Sequence, residues 1–112
     1  MQRIYYANGS ILTGESIASA VLAYAQALAK SPLADTITIP FVDEGTGELS
    51  KATLLIGPAS QLMFVPEIAP RFVEPADEQL VGELERKTLL IGSPRPVAQN
   101  AEEPLRVSDD YD

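Results

Sequence analysis

Three groupings in this 112-residue chain set polar side chains at spacings that chemistry uses. The first is Gly9 to Ser16, GSILTGES, which falls one residue short of the phosphate loop G-x-x-x-x-G-K-[ST] and lies between a strand pattern and a helix pattern. Such a loop needs its lysine beside the phosphates. Glu15 stands in that place, and its carboxylate would repel the anion that the backbone should cradle. Ile39 to Glu44, IPFVDE, resembles an apolar strand ending in Mg²⁺-holding acids, but without the lysine it makes no nucleotide site. The second grouping is Asp43, Glu44 and Glu48 around two glycines. Clustered carboxylates can hold Ca²⁺ or Mg²⁺, yet the EF-hand spacing is absent and a solvated turn is the plainer reading. Asp43 and Glu44 are adjacent at a strand end, so they point apart and make a poor acid–base pair. The third is Ser60, after a strand and a Gly57-Pro58 break. It lacks the G-x-S-x-G frame, and no lysine follows any serine by three residues.

The chain has no histidine and no cysteine, which removes the usual nucleophile–base pairs, disulfides and thiolate metal sites. No catalytic, cofactor-binding or metal-binding residue is therefore assigned, and no cofactor is expected. The residues carry no motif that identifies a family.

Charge narrows the partners. The formal net charge is −8. Residues 1–42 balance at zero, with Arg3 and Lys30 against Glu15 and Asp35, so the whole excess follows Val42. Phosphate backbones should repel such a chain, and nucleic-acid binding is not expected. No apolar run reaches the roughly 20 residues that cross a bilayer. The N-terminus, MQRIYYANGS, lacks the long apolar segment of a secretory signal. A soluble, cytoplasmic protein without membrane partners is expected. The length suits one domain, placed at 1–92, with 93–112 expected to be a disordered acidic tail holding three prolines.

The elements follow from periodicity. Ile4 and Tyr6 alternate with Tyr5, which predicts a strand over Arg3 to Ala7. Asn8-Gly9 then predicts a type I′ hairpin turn with both residues at positive φ, leading into Ser10 to Leu12. Ile37, Ile39 and Phe41 alternate with Thr36, Thr38 and Pro40, a strand that Pro40 should make an edge or end. Leu49 to Ile56 reads as its antiparallel return, and Gln61 to Val65 as one more strand before Pro66. The expected fold is α+β, in the order ββαβββα: a curled antiparallel sheet of about five strands with one main helix packed on a face.

That helix is Gly14 to Ser31. Ile17, Val21, Tyr24 and Leu28 share one face at helical spacing, and six alanines lie between Ala18 and Ala29. Thr13 is the expected N-cap, and Pro32 stops the helix. A second stripe, Ala18, Leu22, Ala25 and Ala29, leaves two readings open. It is either covered within one domain or a candidate interface with another copy or a partner, since small residues permit close helix approach.

Gly47 to Gly57, GELSKATLLIG, recurs as GELERKTLLIG at Gly82 to Gly92, identical at eight of eleven positions. The first copy sits in a strand pattern. The second follows a helical one over Asp77 to Lys87, which favours a helix through Leu90, with a strand at Thr88 to Ile91 as the alternative.

These features favour a small acidic non-catalytic binding or accessory module, acting by protein–protein contact and as a candidate homodimer. One alternative is a small-ligand protein or enzyme using carboxylate, Tyr or Lys groups in a sheet–helix pocket. Another is an antitoxin-like regulator of a basic partner. A cleft with converging Asp, Tyr or Lys would favour the pocket; a bare apolar face would favour the contact module.

Overall fold

The computed structural model describes residues 1–92. The expected tail at 93–112 lies outside the described residues. The order is ββαβββα: β1 (Gln2–Tyr6), β2 (Gly9–Thr13), α1 (Glu15–Lys30), β3 (Asp35–Val42), β4 (Leu49–Ile56), β5 (Leu62–Pro66) and α2 (Glu78–Gly92). The strands form one antiparallel sheet in the order β4-β3-β2-β1-β5, so the fold is α+β.

Period-two alternation gives the sheet an inner and an outer face. Ile4, Ile37, Ile39, Leu54 and Ile56 turn inward and are buried. Ile17, Val21, Tyr24 and Leu28 of α1 meet them, and Leu84 of α2 joins the same cluster. Each large apolar side chain so buried contributes about 1.5–3 kcal/mol, which makes this cluster the main bond between sheet and helices.

The β1–β2 hairpin turns one residue earlier than Asn8-Gly9 predicts. Tyr6 pairs with Gly9, leaving Ala7 and Asn8 as the loop. Ala7 takes φ 54°, while neither Asn8 nor Gly9 is left-handed. Positive φ at the first central residue only is the sign pattern of a type II′ turn. The observed register sets Ile4 opposite Ile11. A turn at Asn8-Gly9 would set Ile4 against Thr13 instead and lose that apolar pair.

Thr13 is not the helix cap. It is buried in β2, and its hydroxyl donates to the Pro40 carbonyl at 2.7 Å. Gly14 holds the N-cap position without a side-chain bond, and the first-turn N–H of Glu15 donates to the Glu74 carboxylate at 2.8 Å. Asp77 caps α2 by accepting from the Leu80 N–H at 3.0 Å. One short segment, Glu74 to Asp77, thus serves the starts of both helices.

Pro40 does not end β3 or put it at the sheet's edge; the strand runs on to Val42 between β4 and β2. The Asp43 N–H donates to the Glu48 carbonyl, which fixes the alternation and turns the backbone of Pro40 toward β2. On that side β3 pairs with β2 at Leu12↔Val42. The missing donor therefore falls where the ladder is sparse. This thin junction lets the sheet curl, and the Tyr6 hydroxyl reaches the Leu55 carbonyl of β4. Residues 88–91 are helical, so the two copies of the repeat adopt different secondary structures.

Candidate functional site

The side chains at the centre of the outer sheet face organise around Arg3. Its guanidinium grips Glu67 in a two-pronged contact, Nε to Oε1 at 2.7 Å and Nη2 to Oε2 at 2.8 Å. It also contacts Glu44 of the β3–β4 turn and donates to the Ser10 hydroxyl. The bond from Arg3 holds the Glu67 carboxyl below its usual range. Together with Glu44, Glu67 raises the guanidinium further above its own, so both stay charged through neutrality. This network joins β1, β2, the β3–β4 turn and the segment after β5. Leu12, the cross-strand partner of Arg3, is buried on this face together with Val42.

Beside the network lies an apolar patch. Tyr5 stands opposite Met63, and Arg3 opposite Val65. Tyr5 is 38%, Met63 55% and Val65 36% exposed. Their neighbours Ile4 and Phe64 face the core, as do α1 and Leu84, and no described helix covers these outward residues. Nothing in β5 is charged. Ile68, just past Glu67, is almost fully exposed. The sequence showed the alternation at Tyr5 but not its pairing with Met63, which depends on a strand almost sixty residues later.

The second stripe of α1 is divided by the fold. Ala18 is buried in the core and Ala25 is partly buried against it, whereas Leu22 and Ala29 are exposed. Its four residues therefore do not share one open surface.

Among the described residues, Tyr24, Asp35 and Lys87 converge. The Tyr24 hydroxyl donates to Asp35 Oδ2 at 2.5 Å, and Lys87 Nζ lies 3.6 Å from the same oxygen. The other oxygen accepts from the Thr36 N–H at 2.8 Å. Burial first, then the bond to Asp35, pushes the phenol up to about 12. The same bond holds Asp35 below the usual carboxylate range. These groups engage one another and tie α1, the start of β3 and α2 together. The clefts beside Tyr6 and Gln61, along the Glu74–Asp77 segment and the start of α2, and beside Arg3 and Phe72 have other linings. The convergence works as a latch between elements.

The turn acids also have local work. Asp43 Oδ1 accepts from the Gly45 N–H, while Glu44 goes to Arg3. The Ser60 hydroxyl accepts from the Gly57 N–H, steadying the break after β4. The would-be phosphate loop is strand and helix start, and a Cβ at Gly14 would lie 2.0 Å from the Pro75 carbonyl oxygen. Its backbone is covered by the chain itself. No described helix is long and apolar enough to cross a membrane. Comparison of the chain with protein-family models, curated proteins and solved structures finds no match in any of the three.

Proposed function

We propose that the chain is a small non-catalytic module acting by protein–protein contact, and that the outer face of β1 and β5 is its contact surface. The observation that carries this is the cluster of Tyr5, Met63 and Val65, cross-strand neighbours left uncovered while both helices serve the inner face. Contiguous exposed apolar residues on a polar-surfaced domain mark interaction sites. The patch has an uncharged centre and a charged rim at Arg3 and Glu67, the arrangement common in protein interfaces. The partner is a protein, including a second copy of the chain. The charge of −8 opposes nucleic acid as a partner. A cytoplasmic setting goes with this reading, since the fold holds together with no cysteine.

The test is recovery of the tagged chain from its source cells under mild conditions, with every bound chain identified by mass. The wild type should carry a stoichiometric partner, its own copy included. Tyr5→Lys combined with Met63→Lys should lose that partner while melting like the wild type. Equal recovery with both chains, or no bound chain with either, would overturn the proposal.

A further inference from the structure

The outer edge of β5 is an unpaired strand edge among the described residues, and its hydrogen-bonding groups can be assigned. The Glu67 N–H donates to the Met1 carbonyl at 2.9 Å. In an antiparallel ladder the bonded pairs alternate, so Val65 and Met63 also turn their backbone groups to β1. Leu62, Phe64 and Pro66 then aim theirs outward, away from the sheet. Pro66 thus sits where its missing N–H interrupts nothing within the chain.

From this we infer that β5 pairs antiparallel with β5 of a second copy about a two-fold axis at Phe64. The inference rests on the contact-face reading and names its partner. In this register Phe64 faces Phe64 of the second copy, and each N–H meets the other's carbonyl. Leu62 faces Pro66 of the second copy, and the Leu62 N–H donates to that carbonyl. The proline leaves only the Leu62 carbonyl without a donor, at the rim, where water reaches it. A one-step slip loses the match: residues 62 to 66 are self-complementary about Phe64, with a donor at 62 and an acceptor at 66.

The side chains agree with the backbone. The same axis sets Met63 beside Val65 of the second copy on the outer face. The Tyr5–Met63–Val65 patch becomes continuous across the axis, and each copy covers what the other leaves bare. Edge strands are normally guarded by charge, and the opposite edge of this sheet carries Lys51 in β4. No residue of β5 is charged. The net charge of −8 on each copy opposes association, so salt should strengthen it.

The experiment combines sedimentation of the purified full chain with residue-resolved amide exchange. The wild type should sediment as a dimer in a concentration-dependent way, more so as salt rises. The Leu62 and Phe64 amides should be protected in the dimer and become exchangeable on dilution, while the Met63 and Val65 amides, bonded to β1, stay protected throughout. Met63→Lys should weaken the dimer about tenfold or more without changing the melting of the diluted chain. Val65→Lys should do the same, and the wild-type exchange pattern stands should either variant fail to fold. A wild type that stays monomeric with freely exchanging Leu62 and Phe64 amides overturns the inference. The contact-face reading survives that result if a different chain from the source cells still depends on Tyr5 and Met63. Protection of these amides in a monomer would give the edge to the chain's own residues and overturn it equally. A dimer unaffected by both lysine variants, with unprotected β5 amides, would place the interface elsewhere.

Discussion

The carbonyl oxygen of Pro75 lies 2.0 Å from where a Cβ on Gly14 would stand. The start of α1 is therefore closed by backbone from a segment sixty residues away, and Glu74 beside it supplies the acceptor for the Glu15 N–H. Gly14→Ala forces that backbone aside. The expected loss is about 1–3 kcal/mol, the usual range for overpacking a fitted site. Urea unfolding followed by circular dichroism checks it. An unchanged midpoint would show that the Glu74–Asp77 segment does not sit on the helix start.

The hairpin gives a paired prediction. Ala7 holds φ 54°, a region that penalises a side chain by roughly 1–2 kcal/mol. Ala7→Gly should raise stability by about 1 kcal/mol. Gly9 opens β2 at an ordinary φ with open space around its Cβ, so Gly9→Val should stay within about 0.5 kcal/mol of the wild type. The opposite ranking would restore the turn to Asn8-Gly9.

The main helix, the strand alternation and the element order were legible because each rests on a local period. Ile17, Val21, Tyr24 and Leu28 needed no partner to declare a face. What was hidden depends on residues far apart in sequence. Thr13 looks like a cap until Pro40 is beside it. Arg3 looks like a strand-surface charge until Glu67 and Glu44 converge on it. The sequence showed Tyr5 alternating with Ile4 and Tyr6, but its place in an exposed apolar patch required β5 to pair with β1. Leu22 and Ala18 shared a stripe on the helix, but Ala18 lies nearer the Ile17–Val21–Tyr24–Leu28 face and is buried, while Leu22 lies farther round and is exposed.

The repeat makes the same point at one position. Leu49 and Leu84 are equivalent residues of the two copies, and the shared eleven-residue pattern does not decide its own structure. The flanks decide: Asp77 caps a helix before the second copy, while the first pairs with β3. Leu84 is 1% exposed in the core and Leu49 is 52% exposed. Leu84→Ala should cost about 2–5 kcal/mol. Leu49→Ala should cost under about 1 kcal/mol. Equal losses would contradict the different environments.

Stability should fall at both ends of the pH scale, with the two ends assigned. Tyr24 holds its proton more tightly folded, at about 12 against 10.0, so its contribution is full below pH 10.0 and is lost as pH rises toward 12. Asp35 and Glu67 are held below their usual range, so theirs is present above that range and lost as pH falls through the lowered values. Tyr24→Phe should flatten the alkaline limb. It should also soften the acid limb in part, since the Tyr24 bond is the chief cause of the Asp35 shift, while Glu67 keeps its share. Urea midpoints across the pH range decide it; an alkaline limb unchanged in Tyr24→Phe would remove the latch from the account.

The proposed contact face is tested most directly at Met63, which with Met1 makes up the two methionines of the chain. Peroxide converts an exposed thioether to its sulfoxide, and burial slows it. The rate is measured by peptide mapping on the species recovered from source cells and on the same species diluted until its chains separate. Met63 should react slowly in the recovered species and several-fold faster after dilution, because its outer-face exposure is what the partner removes. Equal rates before and after separation would contradict a contact surface on β1 and β5.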